Sequence, residues 1–72
     1  MVWHDCKTDP PKKNGTYAVT YKLAGTTVWD SGEWDSKENR FEAYDSCYDW
    51  VDFEEYYNTP IKWAEVDLSE VE

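Results

Sequence analysis

The sequence predicts a small α+β domain that is mostly β, with one antiparallel sheet of four or five strands arranged as a meander and one short helical segment. Large apolar side chains alternate with smaller or polar ones over residues 16–22, so that Tyr17, Val19 and Tyr21 share one face of a strand. After a break in this alternation, residues 26–30 are again rich in β-branched and aromatic types. The two runs therefore predict a β-hairpin.

Further strands follow from shorter signals. Ser31-Gly32 is typical of a tight turn, and it predicts that residues 33–35 form a third strand. Residues 41–44 are a fourth strand candidate, and residues 61–66 predict the last strand. A sheet of this size is stable when another element covers its apolar face.

The segment 45–58 is open to two interpretations. As a helix, it places Trp50, Phe53 and Tyr57 on one face, with Asp45 or Ser46 as the N-cap and Asn58 with Pro60 as the stop. As a strand, it sets Tyr48 and Trp50 only partly against Val51 and Phe53. We favour the short helix.

The length of 72 residues predicts one domain spanning residues 1–72. Residues 1–14 are expected to form an extended arm, because two consecutive prolines exclude a helix interior or a central strand, and Trp3 is its expected anchor. Residues 67–72 are expected to form an acidic tail.

The apolar core is predicted to be aromatic. The chain has nine Val, Leu and Ile residues against thirteen Trp, Tyr and Phe, and a buried aromatic side chain removes roughly 150 to 250 Å² from water. We therefore expect most of the five Trp residues in the core. Three or more indoles lying flat against water would instead favour stacking on a glycan.

The net charge of −9 is concentrated in the second half of the chain. Residues 1–28 sum to +2 and residues 29–72 sum to −11, which argues against nucleic acid or an anionic membrane as a direct partner. No apolar run is long enough for a membrane span, and no leader opens the chain. We expect a soluble intracellular protein, and the sequence leaves its oligomeric state open.

Catalytic and metal chemistry are not indicated by any motif. His4 is the only histidine, and the spacing of His4, Cys6 and Cys47 fits no standard zinc motif. Two cysteines are too few for a secreted disulfide scaffold, so two free thiols are expected, although one bridge remains an alternative. We predict a non-catalytic protein with no metal and no cofactor.

Acidic residues interleaved with aromatics in the second half are the candidate interaction site. A charged rim around apolar anchors is typical of a surface that docks onto a basic protein. The alternative is that these charges only keep the protein soluble. The predicted interaction residues are Asp45, Asp49, Trp50, Asp52, Glu54 and Glu55.

Carbohydrate binding is the rival function. The aromatic residues outnumber what a small core needs, and a planar row of exposed rings would stack on a polysaccharide. The candidate rings are Trp29, Trp34 and Trp50.

In its order of elements the chain resembles a family of small phage and prophage proteins, the domain of unknown function 551. The matching motifs are Trp3, Pro10-Pro11, Gly15, the strand Tyr17-Ala18-Val19, Gly32-Glu33-Trp34 and Ile61-Lys62-Trp63. This chain has Lys62 where the family usually has His, and it lacks the family's Pro-rich ending. The resemblance implies a small β-rich fold and a phage or mobile-element origin, and with that origin the cytoplasm of a bacterial host; it implies no activity. Together with the acidic second half, this origin leads us to predict a basic host or phage protein as the partner.

Overall fold

The computed structural model describes residues 2–66, and it arranges them as one six-stranded antiparallel sheet with a four-residue helix. The predicted fold class is confirmed, with six strands rather than four or five. The predicted acidic tail lies outside the described residues. The elements are β1 (His4–Asp5), β2 (Gly15–Leu23), β3 (Thr26–Asp35), β4 (Arg40–Tyr44), β5 (Trp50–Asp52), α1 (Phe53–Tyr56) and β6 (Lys62–Glu65), and the strand order is β1-β6-β2-β3-β4-β5.

The predicted hairpin is the centre of the sheet. β2 and β3 pair from Gly15 opposite Trp34 to Leu23 opposite Thr26. Ala24 and Gly25 form the connection, with φ angles of 51° and 82°. Two central residues with positive φ match the right-handed twist of the flanking strands.

The predicted turn at Ser31-Gly32 is wrong, because β3 passes straight through it. Gly32 is buried in the sheet, and a Cβ atom there would lie 2.8 Å from Cγ2 of Val19 and 3.3 Å from Cδ2 of Phe53. Because glycine has no Cβ atom, it leaves space for these two side chains, and it does not form a turn here. β4 consequently becomes the third strand of the meander.

The core lies on the face of the sheet that carries Val19, which we call the core face. It is aromatic, as predicted, but only Trp34 and Trp63 among the five Trp residues are buried. The expectation that most indoles are internal is therefore wrong. Smaller rings fill the space instead: the buried cluster is Tyr17, Val19, Tyr21, Trp34, Phe41, Ala43, Phe53 and Trp63.

The segment 45–58 is neither one helix nor one strand. Residues 45–49 form a turn, β5 follows, and α1 is capped by Asp52, whose side chain accepts a hydrogen bond from the Glu54 N–H. The favoured helix is thus confirmed only as one turn, and its predicted cap is wrong. Phe53 enters the core with no exposed surface, whereas Trp50 is 49% exposed, so these two side chains do not share a face.

The N-terminal segment is partly a strand. β1 pairs with β6, so that the His4 ring stacks on Trp63 at 4.5 Å between centroids. The indole N–H of Trp63 donates to the backbone oxygen of Asp9 at 2.6 Å. Trp3, the predicted anchor, is 38% exposed. The buried Trp63 therefore holds this segment.

Candidate functional site

Three exposed aromatic rings lie together on the β4–β5 hairpin, and we call them the hairpin cluster: Tyr44, Tyr48 and Trp50. Their exposed fractions are 52%, 83% and 49%. The Tyr44 ring lies 5.0 Å from the Trp50 ring and 6.3 Å from the Tyr48 ring, with interplanar angles of 60° and 61°. Edge-to-face contacts of this kind hold rings in fixed relative positions. The cluster is a preformed apolar surface.

The turn that presents the cluster is built by Asp45. Its Oδ1 accepts hydrogen bonds from the N–H groups of Cys47 at 2.9 Å and Asp49 at 3.0 Å. Its backbone N–H donates to the Asp49 oxygen, and its backbone oxygen accepts from the Tyr48 N–H. Aspartate side chains stabilise turns in this way. The turn is consequently rigid although it is exposed.

Tyr48 occupies an unusual backbone conformation at the tip of this turn. Its φ angle is +61°, in the left-handed region that bulky residues rarely adopt. Glycine or asparagine would be accommodated there at lower cost. Such outliers cluster at binding and active sites. A tyrosine at this position makes the tip of the hairpin a candidate contact site.

The predicted interaction residues separate into two groups. Asp45, Asp49 and Trp50 lie together at the hairpin turn, where Oδ1 of Asp49 accepts from the N–H of Trp50 at 2.9 Å. Glu54 and Glu55 lie in the exposed part of α1, and Oε1 of Glu54 accepts from the Thr59 hydroxyl at 3.3 Å.

Asp52 lies between these groups and has a structural role. It caps α1, and its Oδ2 lies 3.8 Å from Nη1 of Arg40. Arg40 also donates to Glu42 at 2.9 Å, and this hydrogen bond raises the pKa of the guanidinium. Most of the predicted carboxylates therefore support local structure, and those at the turn lie beside the hairpin cluster.

Tyr44 and Tyr48 were missed as site residues. The sequence showed them only as part of a surplus of aromatics. The available signal was the run Asp45-Ser46-Cys47-Tyr48-Asp49, a polar turn composition that contains one large ring. Positive φ at a tyrosine is not readable from sequence.

The outer face of the sheet, opposite the core face, carries two of the rings proposed for glycan stacking. Trp29 pairs with Thr20 and Trp50 pairs with Tyr44, so both point away from the core side chains. Trp29 is 62% exposed. Trp34 lies in the core and is only 5% exposed. The prediction that Trp34 is one of the glycan-stacking rings is therefore wrong.

The three side chains considered for metal binding are His4, Cys6 and Cys47, and they differ in their contacts and in their exposure. His4 lies in β1, with Nδ1 2.9 Å from Oδ2 of Asp9. Cys6 is half-buried and Cys47 is exposed, and both thiols are free. Within residues 2–66, no three His, Cys, Asp or Glu side chains come together as metal ligands. The same residues include no helix long and apolar enough to cross a membrane.

Comparisons with family models, with curated proteins and with solved structures found no match for the chain. The resemblance to the domain of unknown function 551 stays a prediction. Function is therefore argued from the chemistry of the site, since fold alone does not determine it.

Proposed function

We propose that this protein is a non-catalytic interaction module that docks onto a basic protein through the hairpin cluster. The observation that supports this most strongly is Tyr48, which is 83% exposed at a positive φ and lies against Tyr44. Packing of the core explains neither the exposed ring nor the positive φ angle, because Tyr48 lies outside the core. A partner that buries the Tyr48 ring explains both features.

The cluster has the properties of an interface hot spot. Tyr and Trp are enriched at such sites because they offer a large contact area with few rotatable bonds. Asp45 and Asp49 flank the rings, and the net charge of −9 selects for a basic partner. If the resemblance to the phage family holds, that partner is a host or phage protein and the site of action is a bacterial cytoplasm.

Affinity capture with matched variants tests this proposal. Immobilised wild-type protein is used to capture partners from a bacterial lysate, and Tyr48→Ser and Trp29→Ser proteins are used in parallel. Both variants remove an exposed ring, but only Tyr48 belongs to the hairpin cluster. We expect the partner to be retained by Trp29→Ser and to bind Tyr48→Ser about 30-fold more weakly, the equivalent of about 2 kcal/mol.

The charge contribution is tested separately by Asp45→Asn with Asp49→Asn. Asparagine keeps an acceptor oxygen for the turn N–H groups while it removes both charges. We expect weaker binding at low salt and little difference at high salt, because surface electrostatics are screened. Two results would count against the proposal. One is that this double variant binds the partner as tightly as the wild type does at low salt. The other is that Tyr48→Ser binds as tightly as the wild type at any salt concentration.

Carbohydrate binding is retained as a second candidate because of Trp29. Trp3, Trp29 and Trp50 are all more than a third exposed, and the last two share the outer face. Three exposed indoles are the number expected for glycan stacking, but only Trp29 and Trp50 are placed on one face of the sheet. The Trp50 ring is also inclined at 60° to its neighbour Tyr44, which does not fit a planar row of rings. Carbohydrate binding therefore ranks second. Retention on insoluble polysaccharide that Trp29→Ser abolishes and Tyr48→Ser preserves would favour this candidate over protein docking.

A further inference from the structure

The first half of β3 has an unpaired edge. β4 pairs with β3 only at residues 33–35, and within residues 2–66 no other strand lies beside residues 26–31 on that side. The last two residues of β4, Ala43 and Tyr44, pair with β5 alone. We call residues 26–31 the free edge. An unpaired strand edge presents N–H and C=O groups that can pair with another chain.

The backbone groups of Thr27 and Trp29 point outward along the free edge. In β2, the carbonyl oxygens of Lys22 and Thr20 are turned away from β3, because they accept hydrogen bonds at 2.7 and 2.8 Å from residues that precede β6. Lys22 lies opposite Thr27, and Thr20 lies opposite Trp29. Two residues opposite each other in an antiparallel pair turn their backbone groups either toward each other or both outward. Thr27 and Trp29 therefore direct theirs to the free edge.

The next outward-facing residue, Ser31, differs from these two. Its N–H donates to Oδ1 of Asp30 at 2.9 Å. The N–H groups of Thr27 and Trp29 have no acceptor within residues 2–66. The unused donors of the free edge are thus two residues apart, with Val28 between them.

This spacing makes the free edge complementary to itself. When a second copy of β3 lies antiparallel beside the first with the two Val28 residues opposite each other, Thr27 of each copy lies opposite Trp29 of the other. Each such pair exchanges two N–H···O=C bonds, so the two pairs form four hydrogen bonds. Asp30 falls opposite Thr26, so no like charges are directly opposed across the pair.

The charge of this region allows a second copy to approach. Residues 15–32 form most of the β2–β3 hairpin, and their only charged residues are Lys22 and Asp30, so their net charge is zero in a chain of net charge −9. Residues 26–29 also contain neither lysine nor proline, the residues that commonly protect an edge strand. A basic partner gains little from a neutral edge, whereas a second copy avoids there the repulsion between acidic surfaces.

Pairing of two copies would also cover exposed apolar surface. Trp29 is 62% exposed on the outer face, and it would lie beside Thr27 of the second copy. The two Trp29 residues would be diagonal neighbours about 7–8 Å apart, within reach of each other's rings. On the core face, the partly buried Val28 would meet its counterpart.

We propose that this chain forms a two-fold dimer in which the free edges of two copies pair with Val28 at the centre and join the two sheets into one. The contact is a single short strand pair, well below the area of a standard protein interface, so the dimer is weak and requires a concentration of about 0.1–1 mM. It uses no residue of the hairpin cluster and is independent of docking onto a basic partner.

Analytical ultracentrifugation of the full chain from about 10 μM to about 1 mM measures the association. We expect a monomer–dimer equilibrium that tightens when NaCl is raised from about 0.05 to 0.5 M, because salt screens the repulsion between two copies of net charge −9. Docking onto a basic partner has the opposite salt dependence. Failure of one proposal is therefore distinguishable from failure of the other.

NMR on a mixture of ¹³C,¹⁵N-labelled and unlabelled protein determines the register. In the proposed pairing the two Val28 residues form a non-hydrogen-bonded pair with Cα atoms about 4.5 Å apart. Isotope-filtered spectra should therefore show an NOE between the Val28 Hα protons of the two copies. Hydrogen exchange at the N–H groups of Thr27 and Trp29 should slow as the protein concentration rises.

Two variants weaken the pairing without altering the core. Thr27→Pro removes an outward N–H, a change that an edge strand tolerates, and it deletes two of the four hydrogen bonds. Trp29→Ser keeps the backbone and removes the exposed ring. Each should raise the dissociation constant of the dimer about tenfold. Tyr48→Ser removes an exposed ring outside the free edge and should leave this constant unchanged.

Four results would overturn the proposal. The first is a chain that stays monomeric at about 1 mM, which would leave the free edge to a segment of another protein. The second is self-association that weakens as salt is added. The third is an intermolecular NOE from Val28 to a residue other than Val28. The fourth is an equal dissociation constant for the wild type, Thr27→Pro and Trp29→Ser, which would place the contact elsewhere.

Discussion

Gly32→Ala is the substitution whose effect the structure specifies most closely. The added methyl group would lie 2.8 Å from Cγ2 of Val19, 3.3 Å from Cδ2 of Phe53 and 3.4 Å from Cδ1 of Phe41. Val19 and Phe53 have no exposed surface, so neither can move aside into solvent. The backbone of Gly32 does not have a positive φ, and the effect is therefore one of space and not of backbone strain.

Overpacking of a core costs about 1–3 kcal/mol. The lower entropy of the unfolded alanine chain offsets about 0.4–1 kcal/mol of this. We expect Gly32→Ala to lower the free energy of unfolding by about 1–2 kcal/mol, which for a chain of this size lowers Tm by roughly 5–15 °C. Urea and thermal unfolding followed by circular dichroism measure both quantities.

Gly15→Ala is the matched control in the neighbouring strand. Its Cβ would meet only the Tyr17 side chain, at an ordinary contact distance of 3.6 Å. We expect this variant to be as stable as the wild type or slightly more stable, because only the entropy gain remains. If the Tm of Gly32→Ala were equal to that of Gly15→Ala or higher, the close packing assigned to Gly32 would be refuted.

Three other perturbations test local features. A thiol reagent should modify the exposed Cys47 rapidly and Cys6 only on unfolding, because burial raises the Cys6 pKa to about 12 and keeps the thiol protonated; equal rates would contradict this. Burial, assisted by Asp30, raises the pKa of Tyr57 to about 12, against about 10 in an unfolded chain. Since the native state then holds a proton that the unfolded state has released, the free energy of unfolding should fall between about pH 10 and 12, and less steeply in Tyr57→Phe; identical pH profiles would be inconsistent with a raised pKa of this partly buried phenol. Asp52→Ala removes the cap of α1 and should cost about 1 kcal/mol in urea unfolding, whereas Asp52→Asn should cost less because it keeps an acceptor; equal losses would exclude capping as the cause.

The predicted strands at residues 16–22, 26–30, 41–44 and 61–66 were confirmed within β2, β3, β4 and β6, and the clearest of their signals is periodic. Alternation over residues 16–22 survives in β2 because one face of that strand is buried and the other is not. The break in this alternation also located the hairpin connection, which the structure forms at Ala24-Gly25. Both signals are local, and tertiary contacts reinforce them.

The predictions that failed depend on neighbours distant in sequence. Ser31-Gly32 has the composition of a turn, but the need for space beside Val19 and Phe53 keeps it inside a strand. The composition correctly predicted an aromatic core, but composition does not determine which rings enter it. Trp29, at 62% exposed, remains outside because its strand position faces away from the core.

The candidate site was predicted only in part for the same reason. Trp50, Asp45 and Asp49 were identified from charge and composition, and the structure brings them together at one turn. Glu54 and Glu55 were grouped with them by sequence proximity, but they belong to α1 and make none of the hydrogen bonds of the turn. The role that we propose for Tyr48 depends on a backbone angle that the sequence does not show.

The most direct test of the account is chemical-shift mapping of the ¹⁵N-labelled protein with the captured partner. We expect the largest backbone amide changes at residues 44–50 and little change at the β2–β3 connection, Ala24-Gly25, which lies outside the hairpin cluster. Changes concentrated at that connection or around Trp29, with the hairpin cluster unmoved, would contradict the central claim that this protein works through Tyr44, Tyr48 and Trp50.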